Sequence, residues 1–203
     1  MPFFNRPLAV AFGLFLASAC ASSPDRQAGS APKGGGGGRP LRLCEGSVSN
    51  RPATDRRGRI AITGEPLVIR GVTLGRAPAD GCLSSGFGFR AYRPAGAGGR
   101  GGKLHRGVDI ATRGAVPVRA AGRGRVVKAG WSRGYGRLVI LDHGAGVQTY
   151  YAHLSAFAPN LTQGARIPVG TSLGATGRSG AATGVHLHYE VRVDGRAVDP
   201  LAS

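Results

Sequence analysis

The chain has 203 residues, with 27 Lys and Arg against 10 Asp and Glu, a formal net charge of +17, 41% hydrophobic residues, 36 Gly and 13 Pro. That length suits one domain with attachments and is enough to bury a proper interior. So basic a chain invites a nucleic-acid partner, but an N-terminal targeting segment removes it from nucleic acid and no basic motif with interleaved aromatics is present; that class is excluded, and the charge is modest support for an anionic matrix.

Residues 1–19 read as a signal peptide. Arg6 gives a thin positive region, residues 8–16 an apolar run too short to span a bilayer, and Ala17-Ser18-Ala19 a small-residue cleavage site. The mature protein is expected in the cell envelope. Leu16-Ala17-Ser18-Ala19-Cys20 resembles a bacterial lipobox, with Ala17 where Leu is usual, so Cys20 is a candidate lipid anchor to a membrane. Three cysteines leave one over. If Cys20 carries lipid, Cys44 and Cys82 remain to pair in an oxidising compartment; plain signal-peptidase cleavage leaves unpaired thiols. Residues 20–40, with Ser22-Ser23-Pro24 and five glycines at 34–38, read as a flexible linker. Residues 41–83 carry short apolar runs at 59–63 and 66–70, consistent with a small β extension of unassigned role. Further Val, Ile and Leu runs cut by Gly, at 116–122, 124–130 and 137–141, predict an all-β fold, and no amphipathic stretch outside the leader is long enough for a helix.

The histidines carry the chemistry. His105 and Asp109 lie four apart in a Gly-flanked stretch, which predicts a loop running into a strand. Over residues 184–193 a period of two puts His186, His188, Glu190 and Arg192 on one face, and Leu187, Tyr189, Val191 and Val193 on the other. Zinc accepts imidazole nitrogen and carboxylate oxygen, and a catalytic site keeps one position open beside three protein ligands. His105, Asp109 and the 186/188 pair supply three ligands and one spare histidine. Over residues 149–154 the same period groups Thr149, Tyr151 and His153 on one polar face, with Tyr150, Ala152 and Leu154 opposite. Tyr150 and Tyr151 read as packing, and His143, between an apolar strand and a turn Gly, as structural.

Seven segments occur in order: Ser84-Ser85-Gly86-Phe87-Gly88-Phe89-Arg90, His105-Arg106-Gly107-Val108-Asp109, Gly130-Trp131-Ser132-Arg133-Gly134-Tyr135-Gly136, Leu141-Asp142-His143-Gly144, Tyr150-Tyr151-Ala152-His153-Leu154-Ser155, Gly174-Ala175-Thr176-Gly177, and Thr183-Gly184-Val185-His186-Leu187-His188-Tyr189-Glu190. Together, over roughly residues 84–201, they resemble the lysostaphin-type (LytM-like) zinc metallopeptidases. The resemblance implies two antiparallel sheets forming a sandwich with an open groove over residues 84–203. It implies one Zn²⁺ held by His105, Asp109 and His188, with His153 and His186 as non-ligand catalytic histidines. It implies hydrolysis of peptide cross-links or stem peptides of bacterial peptidoglycan by metal-activated water; the lipoprotein-like leader adds the periplasm as the expected place, on a domain anchored at the outer membrane if Cys20 is lipidated. The family also contains members that have lost ligands and act as non-catalytic activators of other wall hydrolases; five filled positions favour catalysis. This chain departs from the family at Ala91-Tyr92, where His-Pro is frequent after the arginine, and at Arg137, where Asn is usual. Both departures put substrate preference, not the metal, in doubt.

Overall fold

Runs of Val, Ile, Leu and Tyr favour extended chain because β-branched and aromatic side chains pack well on a pleated surface, and Gly permits the reversals between them. A computed structural model describes residues 41–46, 48–50, 52, 60, 65–90 and 103–202. The expected signal peptide and lipobox, the linker 20–40, all of the run 59–63 except Ile60, and the departure at Ala91-Tyr92 lie outside the described residues.

Among the described residues there is no helix, and the all-β expectation holds. The strands are β1 (Arg42–Leu43), β2 (Leu67–Ile69), β3 (Val72–Leu74), β4 (Cys82–Ser85), β5 (Gly88–Arg90), β6 (Lys103–His105), β7 (Val108–Ala111), β8 (Pro117–Arg119), β9 (Gly124–Ser132), β10 (Gly136–Asp142), β11 (Val147–Leu154), β12 (Ala156–Phe157), β13 (Arg166–Ile167), β14 (Ser172–Ala175), β15 (His186–Val193) and β16 (Arg196–Val198).

The described strands build one nine-stranded sheet in the order β1-β4-β7-β15-β11-β10-β9-β13, with β16 beside β15. A three-stranded sheet, β12-β14-β8, and two hairpins, β2-β3 and β5-β6, complete the set. Pairing is antiparallel except for β1 on β4, which is parallel. One core cluster joins Val118 and Leu173 of the small sheet to Val126, Leu141, Tyr151 and Tyr189 of the large one, so the two sheets share an interior. Residues 41–83 enter the large sheet through β1 and β4, and β4 itself runs across the 83/84 junction. A disulfide between Cys44 and Cys82, whose Cα atoms stand 4.9 Å apart, fixes this edge.

Candidate metal centre

The centre of the large sheet sets the site. In the β7–β15 pair His188 stands opposite Asp109 and His186 opposite Ala111. The period of two along β15 is as the sequence implies: Leu187, Tyr189 and Val191 are wholly buried in the core, which leaves His186, His188, Glu190 and Arg192 on the other face. The stretch expected as a loop entering a strand is two strands, β6 and β7, joined at Arg106-Gly107. A Cβ on residue 107 would stand 2.2 Å from the Tyr189 carbonyl oxygen and 2.9 Å from Glu190 Cγ. Glycine is what lets the turn carrying His105 lie against β15.

Three atoms converge at this crossing. His188 Nδ1 lies 2.8 Å from Asp109 Oδ1, and His105 Nε2 lies 3.1 Å from both. The far side of each ring decides where its proton sits. His105 Nδ1 donates to the Gly86 carbonyl at 2.6 Å, and His188 Nε2 donates to Glu190 Oε1 at 2.9 Å. Neutral imidazoles therefore turn two bare nitrogen lone pairs toward a carboxylate oxygen, an arrangement that only positive charge at the centre relieves. Zinc held at about 2.0–2.1 Å on tetrahedral directions would space its donors by roughly 3.3 Å, a few tenths wider than here, so the residues fit such an ion with slight relaxation. Without metal the same demand falls on protons. Burial opposes charge on His188, but hydrogen bonds to Asp109 and Glu190 outweigh it and carry its pKa up to about 9. Burial likewise opposes charge on Asp109, yet His105 and His188 hold it well below the usual carboxylate range.

Both carboxylates at the site are matched from behind. Arg90 Nη2 donates to Asp109 Oδ2 at 2.7 Å and to Ser85 Oγ at 2.6 Å. Glu190, 1% exposed at its side chain, accepts from Tyr135 Oη at 2.8 Å and from Arg192 Nε at 2.7 Å. Arg192 also donates to Tyr135 Oη at 2.9 Å and lies over the Tyr150 ring. Burial and the neighbouring Glu190 push the Tyr135 phenol up to about 12, so it stays a proton donor. Sequence reasoning grouped Glu190 and Arg192 with the histidine pair by period but gave them no role. It had no signal for the Tyr135 contact, which links residues 55 apart.

His153 and His186 flank the three converging atoms. Their ring centroids are 4.8 Å apart, and the His153 ring is 5.8 Å from that of His188. The expected face grouping of His153 with Thr149 and Tyr151 is corrected. Those two are fully buried, with Tyr151 paired to Tyr189 of the core face. Val139 pairs with Tyr151 but Arg137 with Leu154, so β11 carries one extra residue there, and His153 takes a φ of +62°. This bulge turns the imidazole off the core face to the site. A left-handed φ on a non-glycine residue is costly, and such strain collects at functional positions. His153 Nδ1 donates to the Ser179 carbonyl at 2.8 Å, leaving Nε2 with the free lone pair. That carbonyl is placed by a close backbone approach: Gly136 (φ +66°) and Gly180 (φ +72°) leave no room for a Cβ on either. Burial, then the neighbouring His186, lowers the His153 pKa to about 4. His186 Nδ1 donates to the Gly184 carbonyl at 2.9 Å, and its Nε2 stands 3.8 Å from Asp109 Oδ1.

All five residues singled out from the sequence line one open groove of about 680 Å³. Ser49 from the N-terminal extension and Tyr135 from the β9–β10 turn also line it. His143 stays outside, held by the Arg123 carbonyl and Thr149, and Tyr151 is packed with its hydroxyl on Ala121 N, as the sequence reading has them.

Comparison with known proteins agrees with this geometry. Residues 103–200 match peptidase family M23. The chain is 40% identical over 120 residues to the DD-carboxypeptidase/endopeptidase Mpg of Neisseria meningitidis, covering 59% of this chain and 26% of that protein. It is 36% identical over 97 residues to the peptidoglycan DD-endopeptidase ShyA of Vibrio cholerae, covering 48% and 22%. The chain thus spans about a quarter of the length of these curated relatives. Among solved structures, a zinc-containing peptidase from Vibrio cholerae superposes with a TM-score of 0.56 at 27% identity, over 68% of this chain and 46% of that one.

Proposed function

We propose that this chain, whose residues 103–200 match peptidase family M23, is a zinc-dependent endopeptidase that hydrolyses peptide cross-links or stem peptides of bacterial peptidoglycan. The observation that carries this reading is the convergence of His105 Nε2, Asp109 Oδ1 and His188 Nδ1 within 2.8–3.1 Å in the lining of an open groove. The relatives named for DD-endopeptidase activity support the substrate class.

His105, Asp109 and His188 would hold one zinc ion. Bound zinc supplies Lewis acidity, which makes water a nucleophile near neutral pH and polarises the scissile carbonyl. The chain's own histidines then manage protons. His153 is neutral at working pH, with Nδ1–H fixed on Ser179, so its Nε2 accepts a proton from the attacking water. His186 is oriented likewise by Gly184, and once either ring is protonated its Nε2–H can stabilise the developing oxyanion or pass a proton to the leaving amine. Glu190 and the Gly86 carbonyl keep the two ligand rings in the tautomers that face inward. In this reading the protein works in the periplasm, tethered to the membrane through a lipidated Cys20.

Digestion of purified sacculi, with and without a zinc chelator and with muropeptides read by mass spectrometry, tests the proposal. Chelator-sensitive loss of cross-linked dimers is expected. A folded, zinc-loaded protein that releases nothing would transfer the bet to the non-catalytic activator.

A further inference from the structure

We propose that Arg90 is a positioning residue that restricts Asp109 to one metal-facing oxygen and ties it to the strand pair carrying His105. The inference rests on the metal-centre reading above. A carboxylate next to a metal can offer one oxygen or both, and nothing in Asp109 itself makes that choice. Arg90 makes it: its Nη2 takes Oδ2 at 2.7 Å, leaving Oδ1 to face His105 and His188. The side chains of Arg90 and Asp109 are 19% and 15% exposed, so solvent screens this charge-assisted bond little.

The same nitrogen reaches Ser85 Oγ at 2.6 Å, and that oxygen lies 3.4 Å from His105 Nδ1. One guanidinium nitrogen therefore contacts one ligand directly and a second through Ser85. The backbone supports the link, since Arg90 sits on β5 and β5 pairs with β6, where Gly88 stands opposite His105. A second observation separates this arginine from a packing residue. Its Nε is buried and has no hydrogen-bond partner among the described residues, an arrangement that costs stability. The hydrogen bonds that the guanidinium does make with those residues, both from Nη2, are the ones at the site.

The test measures metal binding by the full chain, with zinc affinity from competition against a chromophoric chelator and the visible spectrum of the cobalt-substituted protein. Arg90→Met keeps the apolar stem and removes the donors. It should weaken zinc ten- to a hundredfold, the usual range for lost support of a ligand, and should weaken the cobalt visible bands as the freed second oxygen raises the coordination number. Arg90→Lys, which retains a cationic nitrogen, should recover most of both. A merely structural arginine would lower the melting temperature of the metal-free protein and leave the cobalt band shape unchanged. Zinc affinity within twofold of wild type and an unaltered spectrum in Arg90→Met would overturn the inference. Should that variant not fold, Ser85→Ala removes the other anchor of Nη2 and is expected to weaken zinc several-fold; no change there overturns it equally. Wild-type protein that takes up neither zinc nor cobalt would sink the metal centre itself, an outcome distinct from failure of Arg90 alone.

Discussion

Zinc binding should tighten by about tenfold per pH unit as pH rises from about 7, and level off only near pH 9. Zinc at His188 Nδ1 must expel a proton, and in the metal-free protein Asp109 and Glu190, against the opposing effect of burial, raise the pKa of that ring to about 9. At pH 7, two units below, proton competition weakens the apparent affinity by about a hundredfold relative to its high-pH limit. Asp109 adds nothing in this range because it is held well below the usual carboxylate values. The stability of the metal-free protein follows with the opposite sign. The folded pKa of His188 lies above the ordinary 6.5, so its charged form stabilises the fold fully below about pH 6.5, and that contribution fades as pH climbs toward 9. The zinc-loaded protein carries no such proton and should not show that decline in melting temperature. Chelator competition in metal-buffered solutions from pH 6 to 9.5 reads the first effect and calorimetry the second, both ranges being order-of-magnitude windows around the shifted pKa. Affinity that plateaus by about pH 7.5 would mean that His188 titrates as an ordinary histidine, refuting the role given to Asp109 and Glu190.

Three further outcomes are expected. His188→Ala should lose zinc and turnover together, whereas His186→Ala should keep its zinc and lose turnover; metal analysis beside hydrolysis rates decides, and equal zinc loss in both would show the ligands to be misassigned. Replacing Cys44 and Cys82 by Ser removes a link spanning 38 residues of sequence, which the chain-entropy account values at roughly 4 kcal/mol, visible as a lower melting temperature that reductant reproduces in the wild type. Tyr151→Phe removes the hydroxyl that accepts from Ala121 N at 2.9 Å and from Thr149 Oγ1 at 2.9 Å. It should cost about 1–3 kcal/mol of stability through the buried N–H left behind, with kcat/KM unchanged; a large rate loss at retained stability would put Tyr151 in the chemistry.

The strands and the histidine pair were legible because both follow a local period. Leu187 and Tyr189 alternate with His186 and His188, and one sheet with a core on a single face enforces that alternation. His153 was legible as a site residue only through family resemblance, and its face was misread. Alternation assigns it with Tyr151, and no residue type in 149–154 announces the bulge, which comes from the mismatch between β10 and β11. The arginine matching Asp109 was equally beyond a local reading. Arg90 and Asp109 are 19 residues apart, and only the lateral order β4-β7-β15, with the β5–β6 hairpin beside it, brings them together. The joint sheet of β1 and β4 was hidden for the same reason, since a parallel pairing of short strands leaves no hairpin signal.

The charges around the site suit an ion in an open groove better than one in a closed cavity. Asp109 is matched by Arg90 at 2.7 Å, and Glu190 by Arg192 at 2.7 Å, so the two carboxylates bring no net negative charge once their arginines are counted. His105 and His188, the other residues proposed to hold the metal, would bind it as neutral imidazoles. A divalent ion held here would keep nearly its full charge. Burying such a charge in an apolar cavity would be prohibitive, whereas an opening to solvent on the side away from the core lets water share the cost of solvating it. The same surplus would make such an ion a stronger Lewis acid toward a carbonyl than one in a site rich in anionic ligands. In this reading Arg90 orders Asp109 toward the ion, and that ordering outweighs the charge it withholds from the carboxylate.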